Sequence, residues 1–267
     1  METYRLKNII ILTLVLVNAF LLGTLGMRQA QQVASQRQAT EELVKLFADE
    51  GVTLSEAAVS FDPPPAALAL ERNTAAERAV AATFLGNELT AADEGGGILT
   101  YTSDRGRAVF RASGAFEITG ELGRAPSALG QQFCRNHGCE FPDEWFDASG
   151  SGTVTVRQLC QGYPVEDCSV TFLAEDNVLR SLCGTFLPSN TTVSQNGDNL
   201  LTASTALTAF LEARRTSGAV VSAVTGLYPC YELQNTASAL TLTPTWCVVT
   251  DTVDYYVNCS TGAVTHA

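Results

Sequence analysis

The chain has 267 residues, enough for one large or two small domains with a full hydrophobic core. Its 16 basic residues stand against 28 acidic ones, and the resulting formal charge of −12 is opposite to what a nucleic-acid surface requires. With 46% hydrophobic and 16% charged residues the chain is too apolar to be disordered, and two histidines, His137 and His266, are few for an enzyme built on imidazole chemistry.

The first element is the most informative. From Asn8 to Met27 the chain reads NIIILTLVLVNAFLLGTLGM without a charge. At ~1.5 Å per residue, a helix of this length spans the ~30 Å hydrocarbon layer, so a transmembrane anchor is expected. A cleaved signal peptide would have a shorter apolar region ending in a small-x-small site, which Leu22–Arg28 lacks, and no lipidation cysteine follows. A buried core helix with no polar face would need a much larger domain around it. Arg5 and Lys7 place the short tail in the cytoplasm by the positive-inside rule, although Arg28 and Arg37 soften the contrast. The bulk of the chain is then extracytoplasmic. From Arg28 onward it carries 14 basic and 27 acidic residues, a net −13 that repels anionic polymers and lipid headgroups. Mid-helix Asn18 has two readings: an amide that bonds a neighbouring helix, or a single polar residue tolerated in a very apolar span. On the first reading Asn18 and Phe20 mark a partner contact.

Residues 28–49 are rich in Gln, Ala and Arg and acquire an apolar stripe only near the end, at Leu43, Val44, Leu46 and Phe47 before Gly51, as expected for a helical stalk. Asp62-Pro63-Pro64-Pro65 cannot continue a helix and marks a linker. An order of elements then recurs. Thr74-Ala75-Ala76-Glu77 reads as a capping box opening a helix that stops at Gly86, and strands follow at 98–103, 107–111 and 115–122. Ser127 reads as the cap of a second helix ending at Gly138, before strands at 153–161, 165–174 and 178–187 that turn at Gly162-Tyr163-Pro164 and Asp176-Asn177. A third helix carries Ala203, Leu207, Phe210 and Leu211 on one face and ends at Gly218, before strands at 219–233, 240–250, 255–258 and 263–265. Helix followed by antiparallel meander predicts an α+β fold, with each sheet packing one face on a helix. The expected division is a tail and anchor at 1–27, a juxtamembrane helix and linker at 28–65, a first α+β unit at 66–123 and a C-terminal α+β domain at 124–267.

All eight cysteines lie outside the membrane in this orientation, and an even number there suits disulfides. If Asp176-Asn177 is a two-residue turn, Cys168 and Cys183 become diagonal neighbours on one sheet face, and Cys134 with Cys139 can close a short loop around Gly138. A metal reading of Cys134, His137 and Cys139 is weaker, because the spacing is not that of a zinc knuckle and no second half follows. Buried free thiols are the bland alternative. No nucleophile elbow, phosphate loop, dinucleotide fingerprint or His-Glu-x-x-His occurs, Gly95-Gly96-Gly97 reads as a flexible connection, and Asp143, Glu144 and Asp147 read as a solvated loop face. Nothing in the chain calls for catalysis, a cofactor, a metal or a small-molecule substrate.

Three stretches together carry a resemblance. They are YRLKNIIILTLVLVNAFLLGTL at the N-terminus, the hairpin Gly162-Tyr163-Pro164-Val165 with Ser169-Val170-Thr171-Phe172, and the terminal run Leu242-Thr243-Pro244-Thr245-Trp246, Tyr255-Tyr256-Val257-Asn258 and Thr261-Gly262-Ala263-Val264. In these the chain resembles the YycI/YycH family, membrane-anchored accessory regulators of a cell-wall-sensing two-component system. The resemblance covers the anchor and roughly the last 110 residues, and it makes Gly162, Pro164, Pro244, Trp246, Tyr255, Tyr256, Asn258 and Gly262 family-signature positions with structural roles. It departs from the family pattern at Cys247, where a basic residue is common, and at Cys259, where a small one is. What the resemblance implies is a PepSY/YycI-like α+β exported part and a non-enzymatic regulator whose partners are a sensor histidine kinase and a sister YycH-like protein. The alternative is an exported PepSY-like binding or inhibitor module acting on an extracellular protease or wall component, for which the anchor is a mere tether.

Overall fold

The computed structural model describes residues 34–59, 63–188, 190–193, 200–235 and 240–266, together with positions 14, 17, 18, 20, 24, 27 and 31. The candidate span 8–27 therefore lies for the most part outside the described residues. Its described positions are helical, with Leu14, Val17, Phe20 and Met27 exposed, and the Asn18 amide donates 2.9 Å to the Leu14 carbonyl within its own helix. Among the described residues no helix is long and apolar enough to cross a membrane. The rest is a mixed α+β structure of four helices and fourteen strands among the described residues, and its pairing is almost wholly antiparallel.

Helix α1 (34–49) buries Leu43 and Phe47, four residues apart and so on one face, and leaves Leu46 exposed. Its end is set by Gly51 at φ +72°, which lets the Val52 amide reach back 2.9 Å to the Phe47 carbonyl. In such a closure the two residues that exchange this bond meet through their side chains. Phe47 and Val52 accordingly enter the same core.

The first sheet runs in the order β3 (Thr90–Gly95), β4 (Ile98–Ser103), β5 (Gly106–Arg111), β6 (Ala115–Arg124), β9 (Val178–Thr185), β8 (Tyr163–Glu175) and β7 (Gly152–Cys160), every pair antiparallel. Helices α2 (Thr74–Leu85) and α3 (Pro126–His137) cover one face, and Val80, Phe84 and Phe133 pack there on Phe110, Phe116, Phe172 and Phe186. The expected division at 123–124 falls inside this sheet. Strand β6 finds its partner in β9, so the two units recognised by element order share one core. The helix starts also differ from expectation. Asn73, not Thr74, caps α2 by accepting from the Ala76 amide at 3.0 Å, because the Glu77 carboxylate turns back to the Arg72 guanidinium, a stronger donor than a backbone amide. Helix α3 starts on Pro126 after Ala125 in the left-handed region, with no side-chain cap from Ser127.

The second sheet is centred on β11 (Ala223–Asn235) and β12 (Leu240–Thr250), paired antiparallel along most of their lengths. On its far side β12 pairs with β13 (Tyr255–Asn258) and with β2 (Leu68–Glu71). Strand β10 (Asn190–Val193) extends β2, β14 (Val264–His266) extends β13, and β1 (Thr53–Leu54) runs parallel to β11. Helix α4 (Ala203–Ser217) and the end of α1 cover one face, where Phe47 and Phe210 stack with centroids 6.3 Å apart and Phe210 meets Tyr255 edge-on at 5.0 Å. Arg214 near the end of α4 donates to the Glu50 carbonyl just beyond α1, clamping the two helix ends together.

The two sheets meet where Val165 of β8 pairs in parallel with Tyr231 of β11. Around that bridge lies a third, smaller core of Leu68, Leu70, Val165, Cys168, Leu187, Tyr231 and Leu242. Arg72 follows β2 directly and reaches into the first sheet, pairing with Glu77 at 2.7 Å and donating to the Gly97 and Phe110 carbonyls.

Candidate functional site

The junction carries polar chemistry on both sides. On one side is a cleft of about 440 Å³ walled by the end of α3 (Asn136, His137, Gly138), the end of β7 (Gln158 to Gln161), Phe186 to Pro188, and Leu70, Val165 and Leu242. None of its lining side chains is an Asp, Glu, Lys or Arg, in a chain that carries 44 of them. Gln158 is engaged, accepting from the Leu187 amide at 3.0 Å and donating to the Leu187 carbonyl at 3.3 Å. The His137 ring lies against Phe133 and Phe186, with centroids 4.6 and 5.0 Å away. Burial lowers the His137 pKa, so the imidazole is neutral at pH 7. The cleft is an uncharged, mixed polar and apolar surface of the size that takes a small ligand or a peptide side chain.

On the opposite face the junction is braced by Glu166. Its carboxylate accepts from Arg157 of β7 at 3.2 Å, from the Tyr228 hydroxyl of β11 at 3.3 Å and from the Tyr256 hydroxyl of β13 at 3.3 Å. Tyr228, Cys247 and Tyr256 stand in one cross-strand row, since Cys247 is opposite Tyr228 on one side and Tyr256 on the other. Burial pushes the Cys247 thiol up to about 12, and burial followed by the Cys247 and Glu166 contacts raises the Tyr228 phenol. At neutral pH these groups are protonated, and a protonated thiol is a poor nucleophile and metal ligand. The arrangement holds strands together from both sheets and lacks an activated group. Glu166→Gln is expected to cost about 1–2 kcal/mol, because the amide still accepts from a phenol but loses the charge that balances Arg157. A double-mutant cycle with Arg157→Met, read by urea unfolding, checks it; a coupling near zero would mean that the carboxylate is solvated instead.

The structure distributes the expected residues unevenly. Trp246 is fully buried and donates its indole N–H to the Leu201 carbonyl at 2.9 Å, and Tyr255 lies in the same core. Tyr256 joins the brace. Gly162 at φ +86° follows Gln161 at +52° in the two-residue β7–β8 turn, Pro164 lies in β8 opposite Leu159, and Pro244 in β12 opposite Tyr231. Asn258 accepts from the Ser260 and Thr261 amides and receives the Gly262 amide on its carbonyl, closing the last turn. These signature positions serve core and turns, and they do not converge on one surface. Cys134 and Cys139 are brought together and buried. Cys168 and Cys183 are not: Cys183 stands opposite Thr171, an odd number of residues from Cys168, so Cys183 is exposed on one face while Cys168 is buried on the other. Asp147 ties its own loop, accepting from the Ser149 hydroxyl and the Ser149 and Ser151 amides, which hold its carboxyl below the usual range. Neighbouring Trp145 packs against Gly130 of α3, where any Cβ would collide with the ring. Among the described residues no three His, Cys, Asp or Glu side chains gather as a metal site.

The brace and the cleft were not visible in the sequence. The nearest signal is Glu166-Asp167, two adjacent acids within β8; which strands present Tyr228, Cys247 and Tyr256 to Glu166 depends on pairing that spacing does not encode.

No protein-family model and no curated protein matches the chain. Among solved structures it is similar to the crystal structure of an uncharacterized protein from Eubacterium rectale ATCC 33656, at 9% identity and a TM-score of 0.43 over 80% of this chain and 85% of that one.

Proposed function

We propose that the protein is a single-pass, membrane-anchored extracytoplasmic regulator that acts by protein contact, biasing the signalling state of a sensor histidine kinase alongside a sister YycH-like protein. The observation that carries the proposal is the docking of α1. The helix that follows the uncharged run 8–27 inserts Leu43 and Phe47 into the core of the second sheet, a contact through which a displacement of the anchor would reach that sheet. The choice of kinase and sister protein rests on the sequence resemblance in the anchor and the C-terminal strands. Regulation of this kind needs a difference of only ~1–3 kcal/mol in affinity for the two kinase states. The uncharged cleft favours a second reading, an exported PepSY-like binding or inhibitor module for an extracellular protease or wall component.

The test is crosslinking in native membranes of the wild-type chain and of a chain with residues 8–27 replaced by an unrelated span, followed by mass spectrometry. Recovery of a sensor kinase with the first and its loss with the second is the expected result. Recovery of only a protease or wall enzyme with both would overturn the kinase reading in favour of the binding module.

A further inference from the structure

We propose that Cys134 and Cys139 form a reversible intramolecular disulfide that locks the strap of residues 138–140 onto the edge of β7. Helix α3 ends at Gly138, whose φ of +65° lets both its own amide and the Cys139 amide, at 3.1 Å, return to the Cys134 carbonyl. This is the closure seen at α1, and it brings together the two side chains that flank the glycine. At α1 those side chains are Phe47 and Val52; here both are free thiols buried in the same core, with the Cys134 sulfur 3.9 Å from the carbonyl of Glu140, the residue after Cys139. Short loops closed by such a geometry suit the reach of a disulfide.

The strap has a defined task. Glu140 donates to the Arg157 carbonyl at 2.9 Å, Leu159 donates to the Gly138 carbonyl at 2.6 Å, and Cys139 bridges Gln158, so residues 138–140 cover one end of the otherwise outer edge of β7. Gly138 of the strap and His137 just before it line the cleft. Closing the disulfide therefore fixes one wall of the cleft and keeps that stretch of strand edge covered. The inference stands whichever partner the protein serves.

The oxidant is a disulfide, either of a small thiol such as glutathione or of a dithiol oxidoreductase. The Cys134 thiolate attacks one of its sulfurs, the oxidant S–S bond breaks, and one thiol leaves. Contact with the Cys139 thiol lowers the Cys134 pKa against the effect of burial, which favours Cys134 as the attacking group. Cys139, whose thiol the Cys134 hydrogen bond and burial hold protonated in the reduced, closed form, loses its proton once the strap has opened and Cys134 is in the mixed disulfide, then attacks the Cys134 sulfur and expels the second thiol. Two protein thiols are oxidised to one S–S bond, the oxidant is reduced to two thiols, and the two cysteine protons finish on those thiols.

The test uses the full chain in detergent micelles, equilibrated with glutathione and glutathione disulfide, quenched in acid and alkylated with N-ethylmaleimide after denaturation. Trypsin cleaves after Arg124, Arg135 and Arg157, so Cys134 and Cys139 fall in separate peptides, 125–135 and 136–157. The expected result is that these two peptides are recovered joined under oxidising mixtures and separate under reducing ones, with amide exchange at Glu140 and Leu159 slowed by on the order of tenfold or more in the joined form. Cys139→Ser is expected to abolish the joined pair. Should that variant fail to fold, the wild-type peptide map still decides. Full alkylation of both thiols under oxidising mixtures would overturn the proposal, as would joining of 136–157 to the Cys160 peptide instead.

Discussion

A Phe47→Ala chain is expected to lose about 3–5 kcal/mol of stability, seen as a fall in the urea midpoint of the full chain in detergent. The ring is fully buried, stacks on Phe210 and closes the end of α1 against Val52, so its removal leaves a cavity that the facing helix cannot collapse into without giving up its own contact with Tyr255. Leu46, one residue earlier, is 40% exposed. Its replacement by Ala is expected to cost under ~1 kcal/mol, since little area leaves water and Ala favours the helix. The contrast is what tests the docking: equal, small effects at both positions would mean that α1 stands free of the sheet. On the proposed function, Phe47→Ala would also separate two properties. Anchor-mediated recovery of the kinase would persist, while control of its signalling would be lost, because the exported sheet no longer moves with the anchor.

Glu77→Ala is expected to cost about 3 kcal/mol, toward the lower end for breaking a buried ion pair. Glu77 is 4% exposed and meets Arg72 through two bonds, of 2.7 and 3.0 Å, while Arg72 also donates to the Gly97 and Phe110 carbonyls. Removing the carboxylate leaves the guanidinium with two carbonyl acceptors and no counter-charge. The lower end applies because the Arg72 side chain keeps 24% of its exposure and hence some hydration. Removing both charges with Arg72→Met and Glu77→Leu should restore much of the loss, since neither ion then has to be desolvated. Thermal unfolding of the two singles and the double gives the coupling directly. A single-variant cost under ~1 kcal/mol, screened away by salt, would place the pair in solvent instead.

The elements that bury one face were legible from alternation and punctuation. Strands 98–103, 240–250 and 255–258 coincide with β4, β12 and β13, the Asp176-Asn177 turn has both residues at positive φ, and Gly86, Gly138 and Gly218 end three helices. Strand β3 was missed because all six of its residues are exposed, so its Thr-Ala-Ala-Asp-Glu-Gly shows no alternation, and Gly95 to Gly97 turn the hairpin to β4 instead of forming a loose connection. That strands of the expected units 66–123 and 124–267 pair in one sheet was not legible for a related reason. Which strand lies beside β6 is decided by area buried under α2 and α3, and periodicity records only that β6 has one apolar face. Of the candidate site, the return of the Cys139 amide to the Cys134 carbonyl follows from local rules, because it belongs to a glycine-ended helix. The Glu166 brace joins four strands between positions 157 and 256 and had no local signature.

The joint between the sheets has a mechanical consequence. The first and second cores contain 20 and 17 buried side chains, and the core at the joint contains seven, gathered about one parallel bridge. In a chain of elements under tension the most compliant one takes most of the strain. A pull entering through α1 reaches the second sheet first and passes to the first across this small core, the Glu166 brace, the Arg72 tie and the chain segments that join β2 to α2 and β9 to β10. On this count the joint is the expected site of compliance, and because residues of both sheets line the uncharged cleft, an angular displacement there would change the cleft's width.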